Sequence, residues 1–164
     1  MGVSGAGKSR IGMALATRLS RPFLEGDDLH SPQAIAAMSA GVPLDDDDRR
    51  PWLARIRGWL DEQGRLGTPG VVACSALRRA YREVLLGDGD VVFVELDVPR
   101  PVLEERLAGR PGHFMPAALL DSQLRTLEPL GDDEPGARVR SRRSPGYTQD
   151  EALAALEHLG IRVG

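Results

Sequence analysis

Short apolar runs alternate along this chain with segments of helical period. Ile11, Leu15 and Leu19 recur at i, i+4 and i+8, one stripe of a helix that stops before Pro22. Phe23-Leu24 reads as a short strand entering Glu25-Gly26-Asp27-Asp28-Leu29-His30. Ser31-Pro32 supplies an N-cap and a first-turn proline, and Gly41 closes that helix. The next helix is expected to start near Pro51, carry Trp52, Ile56, Trp59 and Leu60 on one face, and end near Gly64. Residues 70–74 read as a buried strand, 79–86 as a helix, 91–96 as a strand and 99–108 as a helix. Arg110-Pro111-Gly112 breaks the last of these, and residues 116–128 are helical again. Thr148-Gln149-Asp150-Glu151 predicts a capping box for a final helix ending at Gly160, and the Gly-, Pro- and charge-rich residues 131–146 are expected as a loop. Strands alternating with helices predict an α/β fold with a parallel sheet. With no repeat and no linker, 164 residues make one domain, residues 1–164.

Composition adds exclusions. A hydrophobic content of 41% and a charged content of 27% are ordinary for a globular chain. A net charge of −3 gives no whole-chain attraction to nucleic acid or an anionic membrane, and no apolar run approaches a membrane span. Cys74 has no partner for an internal disulfide and fits a reducing compartment, and the first 20 residues have no room for a signal peptide's apolar core. A cytoplasmic protein without nucleic-acid or membrane partners is expected. Of 21 basic residues, Lys8 is the only lysine.

That lysine completes Gly2-Val3-Ser4-Gly5-Ala6-Gly7-Lys8-Ser9, which fits the phosphate loop G-x-x-x-x-G-K-[ST]. In such a loop, backbone N–H groups wrap phosphates and the lysine follows the β- and γ-phosphates as a compact charge. The Ser9 hydroxyl would reach Mg²⁺. The alternative is a glycine-rich turn with an exposed lysine, but a periodic helix begins right after Ser9, which sets its positive end against the loop. The strand that normally leads into such a loop is missing, since only Met1 precedes it. A central strand of about five apolar residues contributes about 1.5–3 kcal/mol per buried side chain. The sum rivals a domain's whole stability of roughly 5–15 kcal/mol. The native product is therefore expected to start upstream of Met1, which an intact mass from the native locus would test.

Other phosphate-loop classes fit less well. A guanine-reading N/T-K-x-D motif is impossible without a second lysine. Residues 91–96 followed by Asp97 imitate the Mg²⁺-binding strand of a transport ATPase, but Val98-Pro99-Arg100-Pro101 begins a helix at once, so Asp97 is expected as a cap. A non-catalytic nucleotide-binding module, an inactive remnant, stays open because of the short N-terminus.

The stretches GVSGAGKS, FLEGDDLH, GVPLDDDDRRPWL, VVACSALRRAYR and GHFMPAALLDSQLRTLEPL, in this order over residues 2 to about 134, resemble the gluconokinase family of phosphate-loop kinases, related to shikimate and adenylate kinases. The resemblance implies a three-layer fold with a parallel sheet flanked by helices, a mobile lid near residues 106–118, and often a dimer. It also implies ATP- and Mg²⁺-dependent phosphorylation of the 6-hydroxyl of D-gluconate, with a shikimate-type acceptor as the runner-up.

Phosphoryl transfer to an alcohol needs a carboxylate beside the acceptor and positive charge around the transferred group. By resemblance, Asp27 is the acceptor-side base or orienting group, and Glu25 reaches Mg²⁺ through water. His30 is either an acceptor contact or a plain loop histidine. Arg49, in the family's position before Pro-Trp-Leu, is expected to clamp a carboxylate bidentately, while the Asp45–Asp48 run reads mostly as helix-dipole complement and solvated charge. Arg78 stands where the family commonly has lysine, and Arg82 is either a substrate contact or a surface helix arginine. Arg106 and Arg110 share one helix face at the expected lid and would close on the phosphates; the alternative is two solvated arginines. His113 and Gln123 are substrate contacts by resemblance alone. Scattered histidines at 30, 113 and 158 make no metal site, His158 suits a helix end, and Cys74 reads as a small buried apolar residue. Two departures stand beside the missing strand. Arg10 follows Ser9 where a small residue is usual, and the four arginines of residues 137–143 occupy an expected apolar strand, which predicts an irregular last strand and a doubtful adenine pocket.

Overall fold

The computed structural model describes residues 1–109, 117–141 and 144–163. Among the described residues, the strands are β1 (Phe23–Glu25), β2 (Val71–Ala73), β3 (Phe93–Asp97) and β4 (Gly136–Arg140). The helices around them are α1 (Lys8–Arg18), α2 (Pro32–Ser39), α3 (Asp46–Arg65), α4 (Arg79–Leu86), α5 (Arg100–Ala108), α6 (Ala117–Thr126) and α7 (Pro145–His158). A 3-10 turn over Gly26–Leu29 follows β1. β1 pairs in parallel with β2, and β3 in parallel with β4.

Met1 and Gly2 join these two halves. The Met1 amine donates to Val94 O at 2.6 Å, Leu96 N donates to Met1 O at 3.0 Å, and Gly2 N donates to Ser75 O at 3.1 Å. Met1 thus pairs with β3 and Gly2 with the residue that follows β2 by two, and the chain passes from them through the phosphate loop into α1. Helices cover both faces. Ile11 and Leu15 of α1 join Leu103, Leu120, Ala152 and Leu156 in one core, whereas Trp52 and Ile56 of α3 join Tyr81, Leu85 and Phe93 in the other. A mostly apolar cavity of about 550 Å³ continues the line of Met1 between β2 and β3, lined by Leu15, Leu19, Leu60, Val72, Val92 and Val94.

Several boundaries differ from the sequence expectation, each for a local reason. α3 begins at Asp46, not near Pro51, because Asp45 and Asp48 form a reciprocal capping box that starts the helix ahead of the proline. α7 begins at Pro145 behind Ser144, and Thr148 lies inside it with its hydroxyl on Ser144 O at 3.4 Å, so no capping box forms at Thr148. Residues 131–146 are not a loop throughout: they contain β4, a regular five-residue strand in register with all of β3. The strand tolerates its arginines because Val139 faces the core while the half-exposed Arg138 pairs with the buried Glu95 and with Asp97, at 3.4 and 3.6 Å. Asp97 is not a helix cap; it ends β3, and Pro99 holds the cap position of α5.

Candidate active site

In open α/β sheets, ligands gather at the carboxyl ends of the strands where the strand order reverses. Here β1–β2 lie to one side of Met1 and β3–β4 to the other, and the loop that leaves this point is the phosphate loop. Gly5 and Gly7 take φ values of 80° and 94°, which a side chain would resist. Val3 O accepts from Ala6 N and from Lys8 Nζ, both at 3.2 Å, so the lysine arches back over the loop. Gly7 caps α1 with no side-chain acceptor, which leaves the first-turn N–H groups facing the loop as an anion site.

Two side chains brace this cradle. Gln123 Oε1 accepts from Ser4 N at 2.7 Å. Arg106 Nη1 donates to Gly5 O and Ala6 O at 3.3 and 3.2 Å, and the same guanidinium reaches Ser141 Oγ. Arg106 therefore lies at the phosphate loop, on its carbonyls. The Gln123 amide oxygen is engaged by the loop backbone, so this side chain helps hold the cradle.

The opposite wall begins where β1 ends. Glu25 leads into the 3-10 turn that presents Asp27 and Asp28 to solvent. Trp52 Nε1 donates to Gly26 O at 2.7 Å, and a Cβ on Gly26 would stand 2.8 Å from Ala73 O and 2.9 Å from Cys74 Cβ. The turn carrying Asp27 is thus pinned from two sides. His30 N donates to Asp27 O at 3.2 Å, and the His30 ring stacks on Trp52 with centroids 4.6 Å apart and planes 7° from parallel. His30 Nδ1 is buried with no hydrogen-bond partner. Burial lowers the His30 pKa, the Asp27 charge opposes this, and Arg49 and Arg55 add to it, so the ring is neutral near pH 7. Burial also pushes the Cys74 thiol up to about 11, with Lys8 and Asp27 both near enough to act on it electrostatically. Cys74 is the inert small side chain its sequence context suggested.

A second pocket, of about 410 Å³, opens between the start of α3, the start of α4 and α6. Arg49 and Arg78 approach its Tyr81 ring, with guanidinium carbons 5.7 and 6.0 Å from the centroid. Arg49 Nε and Nη2 donate to Leu44 O at 3.3 and 3.2 Å. Arg78 Nη1 donates to both oxygens of Asp46, and the Tyr81 hydroxyl donates to Asp46 Oδ1 at 2.5 Å. Burial first, and then this bond to Asp46, push the Tyr81 hydroxyl up to about 12.

Arg82 is not in this pocket, nor on the surface. It is 1% exposed, and its Nε and Nη2 pair with Glu134 at 2.6 and 2.7 Å while Nη1 donates to Ala76 O and Glu128 O. Its partners make it a cross-brace between α4 and residues 128–134. Arg110 and His113 lie outside the described residues. Tyr81, Asp46 and Ser141 were not singled out by sequence reasoning; Tyr81 alone carried a signal, three residues after Arg78 at the start of a helix and so on the same face. Among the described residues, no group of three or more His, Cys, Asp or Glu side chains is arranged to hold a metal. Mg²⁺ takes few protein ligands and completes its shell with water and phosphate oxygens, which suits the exposed hydroxyl of Ser9 beside the loop.

Comparison with known proteins agrees with this geometry. A shikimate kinase family model matches residues 4–127. A curated gluconokinase from Gluconobacter oxydans is 51% identical over 93% of this chain and 86% of its own length. The thermosensitive gluconokinase of Escherichia coli is 43% identical over 85% of this chain and 75% of its own. Among solved structures, a gluconokinase from Sinorhizobium meliloti superposes with a TM-score of 0.84 at 45% identity, covering 97% of this chain and 90% of that one. An APS kinase from Mycobacterium tuberculosis, at 22% identity and a TM-score of 0.66 over 96% of this chain and 94% of its own, shares the fold. Similarity of this extent, over a chain that carries the phosphate loop on a kinase fold, means that the chain belongs to the gluconokinase family.

Proposed function

We propose that this kinase transfers the γ-phosphoryl group of ATP to the 6-hydroxyl of D-gluconate, giving 6-phospho-D-gluconate and ADP. One observation carries the reading: a braced phosphate loop and an arginine-lined pocket open at the same strand ends, with Asp27 on the pinned turn after β1.

Asp27 orients the 6-hydroxyl and accepts its proton as the new oxygen–phosphorus bond forms and the bond to the β,γ-bridging oxygen breaks. The N–H groups of the loop, from Gly2 to Ser9, hold the phosphates. Lys8 and Arg106 offset charge on the transferring group, and both already sit on the loop carbonyls. Arg49 and Arg78 take the acceptor's carboxylate, a task for which guanidinium forks are suited. His30, neutral and with Nδ1 unpartnered, hydrogen-bonds an acceptor hydroxyl. Ser9 would ligate Mg²⁺, with Glu25 reaching it through water; when bound, the ion neutralises the β- and γ-phosphate oxygens. No described helix is long and apolar enough to cross a membrane, and we place the reaction in the cytoplasm with free sugar acid as substrate.

A coupled ADP-release assay over a panel of sugar acids and shikimate tests this. Gluconate is expected to give the highest kcat/KM. Lys8→Ala should abolish turnover, and Asp27→Asn should lower kcat by about 10²–10⁴-fold while leaving the KM for ATP little changed. Near-normal kcat in Asp27→Asn would remove Asp27 from the chemistry.

A further inference from the structure

Four consecutive aspartates open α3, and three of them are occupied locally. Asp45 and Asp48 cap each other, and Asp47 pairs with Arg50 on the surface. Asp46, the fourth, reaches out of its own helix. Its carboxylate takes both oxygens to Arg78 Nη1, at 3.0 and 2.7 Å, and Oδ1 to the Tyr81 hydroxyl. It thereby sits among the two guanidinia and the phenol that line the acceptor pocket, at the N-terminus of a 20-residue helix whose dipole favours an anion.

A carboxylate is what the proposed acceptor brings to this pocket. We propose that Asp46 is an internal stand-in for the acceptor's carboxylate: it holds Arg78 and Tyr81 in the free enzyme, and the sugar acid exchanges with it on binding. The inference rests on the gluconate reading of the same site. It makes Tyr81 a specificity-determining residue, because its hydroxyl is released to the incoming carboxylate when Asp46 leaves. The design costs affinity, since every binding event first breaks the Asp46 contacts, and it selects for acids, since an uncharged polyol cannot replace the charge it displaces. The exchange is cheap enough to be reversible: the Arg78 and Asp46 side chains are 41% and 58% exposed, so water shares their charges.

Steady-state kinetics and direct gluconate binding on the full chain test this, with glucitol as the uncharged comparison. Asp46→Asn removes the competing charge at nearly constant shape. It should lower the gluconate KM and dissociation constant about 2–5-fold, the weight of an exposed pair, with kcat, the KM for ATP and Tm little changed. Tyr81→Phe keeps the packed ring and should raise the gluconate KM several-fold without changing weak glucitol binding. An unchanged gluconate KM in Asp46→Asn would make the contact a plain surface ion pair and overturn the proposal. A raised KM would make Asp46 an acceptor ligand and overturn it equally. Wild-type enzyme that turns over another acid in place of gluconate would refute the substrate reading instead, and the same Asp46→Asn comparison with that acid would still decide the exchange.

Discussion

Arg82 and Glu134, 1% and 8% exposed at their side chains, show how one residue's surroundings outweigh its position in a motif. The arginine's bidentate pairing draws the Glu134 pKa below the ordinary carboxylate value. A lowered folded pKa contributes stability above the unfolded value, and that contribution is lost as pH falls through the folded one. Wild-type stability should therefore drop on acidification below the ordinary glutamate range, and Arg82→Met should flatten that part of the profile. The substitution leaves Glu134 buried without its partner and should cost about 3–5 kcal/mol in urea denaturation. The folded fraction should keep its gluconate KM; a raised KM at unchanged stability would return Arg82 to the substrate. Arg49→Ala is the counterpart: it should raise the gluconate KM with little change in Tm. Lys8 and Ser9 stand out in the sequence through the spacing of the phosphate loop, and Asp27 and Arg49 only through the family resemblance. The bracing contacts of Arg82 and Gln123 do not stand out, since they depend on Glu134 and Ser4, which are 52 and 119 residues away along the chain.

At the scale of elements, the turn after β1 decides whether Asp27 is in place. Gly26→Ala would drive a methyl group into Ala73 O and Cys74 Cβ. Overpacking of this kind costs about 1–3 kcal/mol. It should also lower kcat, because Asp27, the proposed base, moves with the turn, while ATP binding persists; wild-type kcat in Gly26→Ala would show that the turn does not position Asp27 for the reaction. Helix and strand interiors followed from periodicity, and α4 matches its predicted span. The ends and β4 did not. The Asp45–Asp48 capping box overrides the signal at Pro51, Thr148 falls inside a helix that already starts at Pro145, and a strand with four arginines in its neighbourhood is readable only when Glu95 and Asp97 of β3 are known to pair with Arg138.

For the whole molecule, the sheet is two strand pairs joined through Met1 and Gly2, with an apolar cavity that Met1 also lines. About five β-forming apolar residues added ahead of Met1, a usual strand length, should enter the cavity, pair with β2 and β3, and raise Tm. Each kcal/mol gained would appear as about 2–4 °C in a chain of this size. An unchanged Tm would mean that the cavity does not accept a strand. The layered α/β plan was readable from the alternation of patterns, but how two half-sheets are joined is a long-range property that no local pattern encodes. What unites sheet, loop and pocket is phosphoryl transfer to a sugar acid's terminal alcohol. Phosphorus NMR of the product formed from gluconate and Mg²⁺–ATP tests it most directly. A phosphomonoester on carbon 6, in equal amount to ADP and absent with Lys8→Ala, is predicted. ADP appearing without any phosphorylated gluconate, from folded protein, would contradict it.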